Sequence, residues 1–135
     1  MKKLLRMSHL IVAAIMVAAA GMLAACSNSP VNEITATIDN YAQSVEEATS
    51  IEEIQEMDGE FAKKMNEYVK SDYKLTAADR EALMGSIVKL SNAINGSFER
   101  LTGQPTGIDL SQREMAFKAE LEKCQTVGDF INMGL

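Results

Sequence analysis

Apolar residues recur along most of this chain at helical intervals. Ile34, Ile38, Tyr41, Val45 and Ala48 are separated by alternating steps of four and three, which places them on one stripe of a helix. The spacing predicts a first helix over Val31–Ala48, interrupted by Thr49-Ser50. Ser50-Ile51-Glu52-Glu53 has the form of a capping box: the serine hydroxyl can accept from the backbone N–H three residues on, and the glutamate can reach back. Ile54, Met57, Phe61, Met65 and Tyr68 extend a second stripe to about Lys70, and Ser71-Asp72-Tyr73-Lys74 reads as a turn.

Thr76 and Asp79 then open a third helix as N-cap and third-position acid. Its stripe is Leu83, Ile87, Leu90, Ile94, Phe98 and Leu101, and Gly103 closes it. At roughly 25 residues it would be about 37 Å long, with Asn95-Gly96 as a candidate bend. Gln104-Pro105-Thr106-Gly107-Ile108 is the clearest loop. Asp109-Leu110-Ser111-Gln112 repeats the capping-box form, and the helix after it carries only Phe117, Leu121 and Cys124 as apolar positions on its stripe. Thr126-Val127-Gly128-Asp129-Phe130-Ile131 opens a short terminal helix with the cap chemistry already used at Ser50. No segment alternates apolar and polar long enough to be a strand. The expected fold of residues 31–135 is all-α, an antiparallel three- to four-helix bundle with short connections.

The beginning of the chain follows another rule. Lys2, Lys3 and Arg6 precede the apolar run Leu10–Ala20, and small residues follow at Gly21, Ala24 and Ala25. This is the layout of a secretory signal peptide, expected to be helical over residues 1–25. The apolar stretch Leu10–Ala25 is shorter than the roughly 20 residues of a spanning helix. Leu23-Ala24-Ala25-Cys26 resembles the lipobox of bacterial lipoproteins, with polar Ser27-Asn28-Ser29 directly after it. The resemblance covers about the first 30 residues. It implies that Cys26 carries a diacylglycerol thioether and that signal peptidase II cuts before it. In the sorting pattern of many two-membrane bacteria an Asp after the cysteine favours the inner membrane. Ser27 stands there instead, so the outer membrane is favoured if the host has two. Residues 26–30 would form a tether ending at Pro30, holding the body within about 15 Å of the bilayer.

Charge divides the chain at the same place. Residues 1–25 hold three of the 13 basic residues and no acid, leaving ten against 19 acids in the remainder, a net of −9. An acidic body of this kind lacks the clustered cations that nucleic acid requires. The one histidine is His9, ahead of Cys26. The body therefore lacks the imidazole of histidine-based hydrolases, of His-ligated zinc and of His-ligated haem. No glycine-rich phosphate loop or calcium loop occurs. No cofactor or metal and no catalytic residue is expected.

Three features remain as candidates. Glu52, Glu53, Glu56 and Glu60 cluster on one helix and read as a solvated face near an N-terminus, where the helix dipole favours acids. Cys124 is the leftover thiol, expected on an apolar helix face as a buried group, with pairing between chains as the alternative. Ala78, Ala82, Gly85, Asn92 and Gly96 make a stripe of small residues suited to close internal packing, with a docking groove for a partner as the alternative. The leading functional expectation is a non-catalytic, lipid-anchored envelope protein that serves another envelope protein as a binding or accessory subunit. The alternative is a carrier of an apolar small molecule, lined by Met57, Met65, Met84 and Met115. An enzyme using only carboxylates ranks last. A cavity among the helices would favour the carrier, and a tightly packed core the accessory subunit.

Overall fold

The computed structural model describes residues 29–133; the expected signal peptide, the lipobox-like Leu23-Ala24-Ala25-Cys26 and the lipidation expected at Cys26 lie outside the described residues. Five helices follow in order: α1 (Pro30–Glu47), α2 (Ile51–Asn66), α3 (Ala77–Thr102), α4 (Leu110–Lys123) and α5 (Val127–Asn132). The all-α expectation is met, and the only β-type pairing among the described residues is one isolated bridge between Lys74 and Thr126.

The helix ends follow from local chemistry. Pro30 does not stop the chain but sits inside the first turn of α1, where its missing N–H costs nothing; Ser29 caps that turn by accepting from the Val31 N–H at 3.3 Å. Thr76–Asp79 and Thr126–Asp129 are complete capping boxes. At α2 the Ser50 hydroxyl accepts from the Glu53 N–H at 3.2 Å, but the Glu53 carboxylate reaches past Ser50 to the N–H and hydroxyl of Thr49. Asp109 likewise accepts from the Gln112 N–H at 3.2 Å. The helix α2 ends at Asn66, four residues before the expected limit, in a run of turns.

Contacts fix the directions. Asp39 lies 3.8 Å from Lys89, the Ser97 hydroxyl donates to the Val45 carbonyl at 2.8 Å, and Arg100 donates to the Ala48 carbonyl at 2.8 Å. Both numbers rise together, so α1 and α3 run parallel. Tyr41 stacks on Phe61 at 4.5 Å and Tyr68 donates to Glu33 at 2.7 Å, so α2 runs antiparallel to α1 between them in sequence. Pairing of Arg80 with Cys124 and of Asn95 with Thr106 makes α4 antiparallel to α3. The α1–α3 interface is the most extensive. Ile34, Ile38 and Val45 of α1 and Leu83 and Leu90 of α3 are buried, and Ser86, Ala93 and Ser97 are the small buried residues of α3. The small stripe expected to serve this purpose is exposed throughout, at Ala78, Ala82, Gly85, Asn92 and Gly96. It sits on the helix flank away from the buried stripe, so it lets nothing approach. Among the described residues the buried ones run from Val31 to Phe130, so the core described lies within residues 27–135.

Two arginines complete helices other than their own. The last turn of α1 has no basic residue and carries Glu46 and Glu47 against the helix dipole. Arg100 supplies the missing cation from α3, donating to the carbonyls of Glu46 and Ala48. Arg80 does the same for α4 by donating to the Cys124 carbonyl at 2.8 and 3.3 Å.

The segment expected as a turn at Ser71–Lys74 is instead an extended strap. The Leu75 N–H donates to Gln125, Val127 to Tyr73, and Gly128 to Ser71, at 2.9, 2.9 and 3.0 Å. The strap, the start of α3 and α5 therefore gather at the pole from which α1 begins. Here the Asp129 carboxylate accepts from the N–H groups of Gln125 and Thr126, which hold its carboxyl below the usual carboxylate range. Its folded value lies below its unfolded one. The stabilisation is therefore present above the unfolded value and is lost as pH falls through the folded one. Asp129→Asn should flatten the acid side of a stability–pH profile measured by urea unfolding, while an unchanged acid limb would assign that limb to other carboxylates.

Candidate functional site

The helix α4 has too few apolar positions to press itself flat against its neighbours. Leu121 is its one buried residue, Leu110, Glu114 and Phe117 are half-buried, and the rest are exposed. It packs chiefly against α3. The α3 stripe tells the same story from the other side. Leu83, Ile87 and Leu90 are buried, but Ile94, Phe98 and Leu101 remain half-buried. The gap between the two helices is an open groove of about 840 Å³.

The wall and floor of this groove are mainly apolar: Ile87, Leu90, Ile94 and Phe98 from α3, and Leu110 and Phe117 from α4. Met84 and Met133 close the end near the strap and α5. The opposite end is formed by the loop 103–109. Gly103 and Gly107 adopt φ of 69° and 70°, the left-handed region that glycine enters without strain. Gly103 ends α3 by donating its N–H to the Glu99 carbonyl at 2.8 Å. The Thr102 hydroxyl donates to the Phe98 carbonyl and accepts from the Gln104 N–H. The Thr106 hydroxyl donates to the Asn95 side-chain oxygen, so Asn95, expected at a bend, pins the loop to a continuous α3.

Polar lining is unevenly placed. Asn95, Thr102, Gln104, Thr106, Arg113 and Glu114 lie toward the loop end. Toward Met84 and Met133 the polar lining residues are Ser91 and Glu120. Glu120 is 3.2 Å from Lys123, whereas neither Arg113 nor Glu114 has a side-chain partner among the described residues. Met115, outside the groove, is 73% exposed, and Ile108, at the groove's loop end, is 44% exposed; they are the exposed large apolar side chains among the described residues.

A second, shallower cleft of about 150 Å³ lies between α1 and α2, with Thr37, Asn40, Ser44, Glu60 and Lys64 around the Tyr41–Phe61 stack. Burial, with the charge of Asp58 beside it, pushes the Tyr41 hydroxyl up to about 12. Burial and the hydrogen bond to Glu33 push Tyr68 up to about 12 as well. Both phenols stay protonated and act as donors that tie α1 to α2.

Comparison with protein-family models, curated proteins and solved structures finds no match.

The sequence candidates fall in different places. Of the four methionines expected to line a cavity, Met84 lines the groove. Met57 lines the shallow cleft, Met65 is in the core and Met115 points to solvent. Met133 takes the place expected of them. Glu52, Glu56 and Glu60 are exposed and Glu53 is half-buried at the α2 cap. No three His, Cys, Asp or Glu side chains among the described residues are arranged to hold a metal ion. Cys124 is 4% exposed, at the cap position just past α4 rather than on the helix face. Burial, with Asp129 nearby, pushes its thiol up, which suppresses the reactive thiolate. The helices among the described residues are not long and apolar enough to cross a membrane.

Proposed function

We propose that this is a non-catalytic, lipid-anchored protein of the cell envelope, a helical bundle in which α2 runs antiparallel to α1 and α4 to α3, with a short fifth helix, that carries an apolar small molecule between α3 and α4. The observation that carries this reading is the groove. Its volume lies within the range of about 300–1,000 Å³ typical of small-molecule sites, and its lining is apolar with a few polar groups, as such sites require. A binding or accessory subunit for another envelope protein ranked first on the sequence, and the groove moves the carrier ahead of it. The accessory reading keeps one specific support, the exposure of Met115 outside the groove. An enzyme using paired carboxylates remains last, because the glutamates proposed for it sit apart from the groove.

The anchor rests on Leu23-Ala24-Ala25-Cys26 and the basic and apolar segments before it. Two or three acyl chains would hold the domain firmly, where one gives only marginal binding at about 0.8 kcal/mol per buried CH₂. Cys26→Ser should abolish labelling by a fatty-acid probe and leave the precursor uncut; a mutant that labels normally removes the anchor.

The carrier reading is tested on residues 27–135 with a dansyl-labelled long-chain fatty acid. Saturable binding is expected. Ile94→Trp, which places a large ring in the groove without touching the buried part of the α3 stripe, should weaken binding at least tenfold with an unchanged far-UV spectrum. Binding that is non-saturable, or indifferent to Ile94→Trp, would return the accessory subunit to first place.

A further inference from the structure

The polar end of the groove carries two opposite charges side by side. Arg113 and Glu114 are adjacent on the first turns of α4, both line the groove, and neither has a side-chain partner among the described residues. Glu114 is half-buried, so its charge is partly removed from water where it stands. Some other surface acids are relieved locally, while Glu56, Glu81 and Glu122 are, like Glu114, without a side-chain partner among the described residues. Asp39 lies beside Lys89, Glu120 beside Lys123, and Asp129 under two backbone N–H groups. Beyond the charged pair, toward Met84 and Met133, the lining is hydrocarbon and thioether apart from Ser91 and Glu120. The groove therefore runs from a dipolar mouth to an apolar end.

Resting on the carrier reading above, we propose that the ligand is a single-chain amphiphile with a zwitterionic head, of the lysophosphatidylethanolamine type. Its acyl chain lies along Ile94, Leu90 and Phe117 toward Met84 and Met133. Its phosphate faces the Arg113 guanidinium, whose planar fork matches phosphate oxygens. Its ammonium faces Glu114. A purely anionic head would gain Arg113 but meet Glu114 as a like charge, and a purely cationic head the reverse. Only a head bearing both signs satisfies both groups. Ser91, farther along the groove, adds neutral hydrogen-bonding capacity for a glycerol or ester oxygen. One acyl chain, rather than two, follows from a single groove with one apolar end.

The test uses residues 27–135, which hold the core described, and isothermal titration below the critical micelle concentration. The probes are palmitoyl lysophosphatidylethanolamine, monopalmitoylglycerol, palmitate and hexadecylammonium. The zwitterion is expected to bind at least tenfold tighter than monopalmitoylglycerol and tighter than either singly charged probe. Arg113→Gln and Glu114→Gln should each erase most of that preference, with a far-UV spectrum unchanged from the parent showing that both variants are folded. Equal binding of zwitterion and monopalmitoylglycerol overturns the head-group assignment and leaves the carrier reading standing. Tightest binding of palmitate or of hexadecylammonium overturns it in favour of Arg113 or Glu114 acting alone. Binding of none of the four overturns both this proposal and the carrier reading.

Discussion

Gly128→Ala should destabilise the domain by about 3 kcal/mol, the upper part of the range for forcing extra volume into a packed site. A Cβ at Gly128 would stand 2.8 Å from the carbonyl oxygens of both Ser71 and Val69. Both neighbours are backbone, so no rotamer change relieves the contact. The strap must move away, and with it go the three backbone hydrogen bonds that close the pole: Gly128 to Ser71, Val127 to Tyr73, and Leu75 to Gln125. Each is worth about 1 kcal/mol net. Urea unfolding followed by circular dichroism measures the loss. Gly59→Ala is the control, because Gly59 is exposed inside α2 with nothing within 4 Å of a Cβ; it should stabilise by up to about 1 kcal/mol. If Gly128→Ala lost less than about 1 kcal/mol, the strap would be shown to yield freely and to contribute little to closure.

Gly128 also marks where the sequence stops being legible. Periodicity and caps depend on residues a few positions apart, and these were readable. The stripes from Ile34 to Val45 and from Leu83 to Leu90 are buried as spaced, and Ser50, Thr76, Asp109 and Thr126 all cap the helices assigned to them. Features that depend on distant partners were not. Ser71–Leu75 has turn composition, and only its pairing with Gln125–Gly128 makes it extended. Arg80 and Arg100 look like ordinary surface cations on α3 until the ends of α4 and α1 are brought against them. The stripe of small residues was misplaced because Ala78, Gly85 and Gly96 resemble a packing face by size alone, and size does not say which flank meets α1. The groove left one trace in the sequence. The helix after Asp109 carries so few apolar residues that it cannot bury a full face, and a helix held at its ends but not along its length leaves a gap. The methionines were a poor guide to that gap, since a flexible side chain fills core, cleft and surface alike.

Phe130→Ala should cost about 3–5 kcal/mol, the loss typical of deleting a fully buried aromatic ring. Phe130 is 0% exposed and lies in α5, a helix of six residues that is far too short to persist in water by itself. The capping box at Thr126–Asp129 sets its start, but burial of this ring is what holds it against the body. Its edge meets the Phe117 ring at 88°, with centroids 6.4 Å apart. Phe117 is half-buried and lines the groove, so the pair connects the deepest part of the core to the wall of the proposed binding site. The two truncations are therefore expected to differ in kind. Phe117→Ala removes a ring that is already partly in solvent, so it should lose less stability than Phe130→Ala yet weaken amphiphile binding strongly. Phe130→Ala should lower stability more and, at temperatures where the domain is still folded, weaken binding through the unsupported Phe117. Unfolding and titration on both variants and on the double mutant measure the coupling. A double mutant whose stability loss equals the sum of the two single losses would show that the rings act independently, and α5 would then have no hold on the groove.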